Sequence, residues 1–262
     1  MFILKDISMA RRSKAYRWLS EEIADMKLIF IRHGDPDYEK DSLTEKGWRE
    51  AEILAGRVSR WNIRDIYCSP FGRAQDTASL SLAKLGREPV TIDWLKEFYY
   101  RITDEVTGEN RIEWDFMPGY FCPNDALHDK NQWYRTPVMA SGDIEKYYLE
   151  ATRGLDGLLE HYGYRRREDG VYEVLEHNDD NIVLFCHFGI TALLTSYLTG
   201  IAAPALWQGF FMAPTAITVI GSEERITGEA AFRVQVFGDC GHLIEAGEPI
   251  SASGYFTDTF QG

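Results

Sequence analysis

Residues 26–38 read MKLIFIRHGDPDY. Lys27 to Ile31 form a nearly continuous apolar run, the pattern of a strand covered on both faces. The run ends on Arg32, His33 and Gly34: a cation, an imidazole and a residue with no side chain. Similar runs recur as DIYCS (65–69), NIVLFCH (181–187) and AITVI (216–220). Helical patterns lie between them. Thr44 is placed to cap a helix reaching about Arg60, and Ser69–Pro70 reads as the start of a helix that stops at Gly86. Ser141 is placed to cap a third helix, in which Ile144, Tyr148, Ala151, Leu155, Leu158 and Tyr162 recur every three or four residues before Gly163. A fourth follows His187 and ends near Gly200. Alternating strand and helix predicts an α/β fold, a three-layer α/β/α sandwich around a mostly parallel sheet. Such sheets bind ligands beyond the carboxyl ends of their strands. His33, Ser69 with Arg73, and His187 all fall there.

Two segments break the pattern. AAFRVQVFGDCGHL (230–243) alternates apolar and polar residues and pairs with AITVIGSEE as an antiparallel edge hairpin. Residues 98–140 have no clear period but hold nine aromatic residues, from Phe98 to Tyr134, and three prolines. This insert reads either as a functional cap or lid, or as an aromatic cluster that simply covers the sheet.

The 262 residues, 45% of them hydrophobic, suffice for one sizeable core with an added cap. A formal net charge of -13 argues against nonspecific nucleic-acid or anionic-membrane binding, so neither partner is expected. It also makes any cluster of positive charge informative. The four cysteines, Cys68, Cys122, Cys186 and Cys240, form no CxxC pair and fit a reduced, cytoplasmic protein. IVLFCHFGITALLTSYL is too short for a membrane span and carries His187 at its middle. Met26 directly precedes the first strand. Residues 1–25 therefore read as an N-terminal extension, either an appended amphipathic helix or an upstream start, ahead of a single domain over 26–262.

Arg32, His33, Arg73 and His187 together suit a phosphoryl group. Arginine forks match its tetrahedral oxygens and stay charged. A neutral His33 has a ring nitrogen able to attack phosphorus. Gly34 lets the backbone pass close to a ligand. A leaving alkoxide needs a proton, and Glu97, ahead of the aromatic insert, is the candidate acid, with Asp104 and Glu105 as substitutes. His128, His161, His177 and His242 read as ordinary core or surface histidines.

These motifs resemble the histidine phosphatase superfamily, the phosphoglycerate mutase-like enzymes. Its RHG signature stands at Arg32-His33-Gly34, its LTxxGxxxA as LTEKGWREA (43–51), its SPxxRAxxTA as SPFGRAQDTA (69–78), and its second histidine as His187-Phe188-Gly189. The ending FGDCGHL is similar to a C-terminal strand of the phosphatase branch. The match runs in order from Met26 to Leu243. It implies His33 as the nucleophile that becomes phosphohistidine, with Arg32, Gly34, Arg73, His187 and Phe188 around the phosphoryl group. Glu97 is then proton donor and later base. No metal and no cofactor are implied, and the partner is a small phosphorylated substrate. Where many members carry Ser or Thr and then Asn after RHG, this chain has Asp35-Pro36-Asp37-Tyr38, whose carboxylates would repel an anion unless turned away. The insert sets Arg101, Arg111, Lys130 and Arg135 against Asp104, Glu105, Glu109, Glu113, Asp115, Asp125 and Asp129. That balance favours a phosphatase over a bisphosphate-dependent mutase. A mutase, or a non-catalytic phosphate or phosphopeptide binder, is the alternative. The sequence leaves the oligomeric state open.

Overall fold

The computed structural model describes residues 25–104 and 106–261. The extension expected at 1–25 thus falls outside the described residues except for Asp25, as does Glu105. Eight strands form one sheet: β1 (Lys27–Arg32), β2 (Asp65–Cys68), β3 (Val90–Thr91), β4 (Tyr164–Arg166), β5 (Tyr172–Val174), β6 (Asn181–Cys186), β7 (Ile217–Ile226) and β8 (Glu229–Asp239). Their order is β3-β2-β6-β1-β7-β8-β5-β4. The β2–β3, β2–β6 and β1–β6 pairings are parallel, and the other four are antiparallel.

The sheet is therefore mixed rather than mostly parallel. The expected hairpin exists, turning at Gly228 (φ +86°), but it is not an edge: β7 lies beside β1, and β5 and β4 continue outward from β8. A tight turn between β7 and β8 can only join antiparallel neighbours. On that side β5 and β4 have three residues each and bury one side chain apiece, Tyr172 and Tyr164.

Alternate residues of the central strands face two separate cores, as a period of two requires. Leu28, Phe30, Ile182 and Leu184 pack with Leu155 and Leu159 of α3 (Ile144–His161) and Leu193 and Leu194 of α4 (Phe188–Thr199). Ile29, Ile31, Val183 and Phe185 pack with Leu54 and Val58 of α1 (Glu45–Val58) and Ala74, Ala78 and Leu82 of α2 (Gly72–Leu85). This double coverage explains the unbroken apolar runs of β1 and β6.

Thr44 caps α1 as expected, its hydroxyl accepting from the Gly47 amide at 3.1 Å. Gly86 and Gly200 close α2 and α4 in the left-handed conformation. Two helix starts differ. α2 begins at Gly72, although the Ser69 hydroxyl accepts from the Phe71 amide at 3.3 Å as well as meeting His187. α3 begins at Ile144 because the Ser141 hydroxyl donates to Val138 O and accepts from the Thr103 amide.

The aromatic insert joins the larger core. Phe98, Ile102, Phe116, Leu127, Trp133, Val138 and Met139 are all buried in it, and the Trp133 ring meets Tyr148 and Trp207 at 5.4 and 5.3 Å. The insert thus covers the sheet and also, through Tyr99, Ile112 and Trp114, walls a cavity above it.

Candidate active site

The parallel half of the sheet sets three chain exits side by side. β1 ends at Arg32, opposite Cys186 of β6, and Cys68 of β2 lies opposite Phe185. The next residues are tied across the strands: the His33 amide donates to Cys186 O (3.0 Å) and the Ser69 amide to Phe185 O (2.9 Å). His33, Ser69 and His187 are consequently neighbours.

His33 is buried, with Nδ1 2.7 Å from Gly34 O. A carbonyl only accepts, so Nδ1 carries the proton and Nε2 keeps its lone pair. Burial, reinforced by Arg32 and Arg73, holds its pKa well below the usual imidazole value, against the opposing pull of the Gly34 carbonyl. The His187 ring lies 5.1 Å away and is likewise held neutral by burial, then by His33 and the two arginines. Its Nε2 is 2.7 Å from Ser69 Oγ, and its buried Nδ1 has no protein partner.

Arg32 Nη1 donates to Met212 O (2.6 Å) and Ser253 O (3.1 Å). Arg73 Nη1 donates to Asp41 Oδ1 (2.5 Å), while Asp41 Oδ2 accepts from the Gly72 amide (2.7 Å). The Arg73 guanidinium also sits over the rings of Phe71 (4.8 Å) and Tyr38 (5.5 Å). Both arginines keep a buried Nε without a protein partner. Each is held by a few contacts, with donors left for a ligand in the cavity that both line.

Glu97 Oε1 accepts from the Phe98 amide (2.9 Å) and from Ile190 (3.1 Å), in the first turn of α4. Desolvation pushes its pKa up to about 7, against the pull of Arg32 and Arg73. Its seat needs a glycine: a Cβ at position 189 would fall 2.8 Å from Glu97 Oε1 and 2.7 Å from Phe98 O. Gly34 has a packing reason too, since a Cβ there would stand 2.7 Å from Gly47 O. The tight contact seats α1 against the loop that follows β1.

The carboxylates after RHG are turned away. Asp35 accepts from the hydroxyls of Thr44 (2.8 Å) and Ser251 (2.5 Å), and Asp37 pairs with Lys40 at 2.8 Å. Asp104, a substitute acid, is engaged with Arg111 at 2.7 Å. His242 is buried as a core histidine, with a pKa lowered by burial to about 4. Its Nε2 lies 3.1 Å from Thr215 Oγ1, and the Thr215 amide donates to His33 O at 3.1 Å. It braces the loop behind His33.

The cavity has a volume of about 460 Å³ and is lined by Arg32, Tyr38, Asp41, Phe71, Arg73, Glu97, Tyr99, Ile112, Trp114, Phe188, Phe211 and Gly254. Of the residues expected at the site, Arg32, Arg73, Glu97 and Phe188 line it directly. His187 meets Phe71 edge-on at 5.3 Å, with His33 beside it. Sequence reasoning missed Asp41, Tyr38, Trp114, Phe211 and the C-terminal segment at Ser253 and Gly254, none of which belongs to a periodic pattern or a motif. Among the described residues, no group of three or more His, Cys, Asp or Glu side chains is arranged to hold a metal ion. No helix among them is long and apolar enough to cross a membrane.

Residues 28–115 match the model of the histidine phosphatase superfamily (branch 1). A 2,3-bisphosphoglycerate-dependent phosphoglycerate mutase of Thermoplasma acidophilum is 36% identical over 73 residues, which cover 24% of this chain and 36% of that protein. The chain thus spans about a third of that relative's length. Among solved structures, phosphoserine phosphatase of Entamoeba histolytica in complex with 3-phosphoglyceric acid is similar with a TM-score of 0.55 and 20% identity, over 83% of this chain and 99% of that one. A mycobacterial glucosyl-3-phosphoglycerate phosphatase aligns with a TM-score of 0.51 and 18% identity, over 82% and 99%. The α-ribazole phosphatase of Shigella flexneri aligns with a TM-score of 0.52 and 22% identity, over 82% and 96%. At these identities the structures report a common fold. Residues 28–115 thus match the histidine phosphatase superfamily in sequence, within a chain whose fold is shared with solved phosphatases.

Proposed function

We propose that the protein is a phosphomonoester hydrolase working through a phosphohistidine at His33. The observation that carries this is the bond from His33 Nδ1 to Gly34 O, which leaves a neutral Nε2 lone pair beside two arginines and a carboxyl that titrates near 7. Arg32 and Arg73 balance a phosphoryl dianion, and the open Nδ1 of His187 and the two Nε groups supply further donors. Nε2 of His33 attacks phosphorus as the bond to the ester oxygen breaks. Glu97 gives its proton to the departing alkoxide. The carboxylate then takes a proton from water as that water attacks the phosphohistidine, releasing orthophosphate and restoring the Nε2 lone pair.

Purified protein is expected to release orthophosphate from an aryl phosphate. Conversion of 3-phosphoglycerate to its isomer in the presence of 2,3-bisphosphoglycerate, without net orthophosphate release, would establish a mutase instead. Failure to turn over any monoester while binding orthophosphate would establish a binder. Arg73→Ala and His187→Ala are each expected to weaken competitive inhibition by vanadate about 10- to 100-fold, from the roughly 1.5–3 kcal/mol of a hydrogen bond to a charged group. An unchanged inhibition constant in either variant removes that residue from the site.

The arginines supply the charge that a metal would otherwise bring, so activity is expected to survive exhaustive chelation. Loss of activity that one divalent ion restores would contradict this.

A further inference from the structure

Past the phosphoryl contacts, the cavity changes character. Its walls are the rings of Tyr38, Phe71, Tyr99, Trp114, Phe188 and Phe211. Several are fixed before any ligand arrives. The Trp114 indole donates to Phe98 O at 2.9 Å, Phe71 meets Tyr99 edge-on at 6.0 Å, and Phe211 stacks on Tyr255 at 4.6 Å. Rigid rings lose little freedom on binding, so their contact area converts efficiently into affinity. The charges point the same way. The only cations lining the cavity among the described residues are Arg32 and Arg73, both committed to the phosphoryl group, and the remaining charged lining groups, Asp41 and Glu97, are acidic. Arg111, on the neighbouring hairpin of the insert, is paired with Asp104 at 2.7 Å. A second anion on the substrate would find no free cation lining the cavity, and the Asp41 carboxylate beside Arg73.

Resting on the phosphatase reading of this site, we propose that its substrates are small monophosphate esters of uncharged aromatic alcohols, not esters of anionic alcohols such as phosphoglycerate or phosphoserine. The phosphoryl group sits between the arginines, and the aromatic alcohol stacks against Trp114 and Tyr99. A volume of about 460 Å³ suits a phosphate with a fused pair of rings, within the usual range for small-molecule sites.

The test is binding to the His33→Ala protein, which needs no turnover, measured by calorimetry with 1-naphthyl phosphate and with 3-phosphoglycerate. The naphthyl ester is expected to bind at least tenfold more tightly. In the same background, Trp114→Leu and Tyr99→Ala should each weaken it about three- to tenfold, while orthophosphate affinity stays the same. Tyr99 is half exposed, so its replacement tests the wall even if the Trp114 variant fails to fold. In the unaltered protein the ratio of kcat/KM for the two esters should follow the same order. Equal affinity, a preference for 3-phosphoglycerate, or naphthyl binding indifferent to both wall substitutions overturns the inference. Hydrolysis that favours 3-phosphoglycerate defeats the substrate class and keeps the phosphatase. Tight naphthyl binding without hydrolysis keeps the ligand class and defeats the phosphatase.

Discussion

His33→Ala loses hydrolysis of every phosphomonoester by about 10³-fold or more, with the fold intact. The size follows from the proposed role: the variant removes the atom that would bond to phosphorus. The nearest imidazole, His187, has its Nε2 engaged with Ser69. The fold should survive because the β1 backbone carries the pairing at this position through the His33 amide and carbonyl, which alanine keeps. Circular dichroism and an unchanged melting temperature check the fold, and orthophosphate release checks the rate. A folded variant with near wild-type activity would remove His33 from the chemistry.

Glu97→Gln slows alkyl phosphates far more than a nitrophenyl phosphate, with a difference of ~10²–10⁴-fold between them, the usual range for general acid assistance. An alkoxide must be protonated as it leaves, whereas a nitrophenolate leaves largely unaided. Some loss on the aryl ester is also expected, because in the proposed mechanism the same group serves as base in hydrolysing the phosphohistidine. The pH profile supplies a second readout. With its pKa raised to about 7, Glu97 is protonated below that value, so kcat/KM for an alkyl ester falls as pH rises through 7. The glutamine variant lacks this limb. Stability follows the same sign: a carboxyl whose pKa is raised on folding favours the native state at low pH, and that contribution is lost as pH rises through 7. The melting temperature of Glu97→Gln should therefore gain on the parent between pH 4 and pH 8. Equal losses on both ester types would reassign Glu97 to positioning or to the shared dephosphorylation step. No loss on either would turn attention to Asp104 or to Glu105, which lies outside the described residues.

The parts of the site that were legible are those where local chemistry and global packing agree. β1 and β6 are apolar along Leu28–Ile31 and Ile182–Cys186 because each is covered on both faces, and their parallel register sets their carboxyl ends side by side at the candidate site. The Thr44 cap and the glycine ends of α2 and α4 are local devices, and they stand where their residues predict. The misreadings share a cause in long-range pairing. Ser69 looks like a helix cap in sequence, and its hydroxyl does accept from the Phe71 amide, but it also meets a histidine 118 residues later, and the helix starts only at Gly72. β4 and β5 were invisible because three-residue strands with one buried tyrosine carry no apolar run, and without them β8 looked like an edge. Asp41 sits in a left-handed turn (φ 47°) and reaches Arg73 only after α2 has folded beside it. The aromatic insert gave composition without period, so its membership in the main core and in the cavity wall became visible only in three dimensions.

The central claim is a covalent phosphate on His33. It is tested most directly by mixing the protein with a ³²P-labelled aryl phosphate, quenching within one turnover, and separating protein from free phosphate. The account predicts one label per chain at most, stable in alkali, lost in acid, mapping to the peptide that contains Arg32-His33-Gly34, and absent from His33→Ala. Label that resists acid, that maps elsewhere, or that never forms during rapid hydrolysis would contradict it.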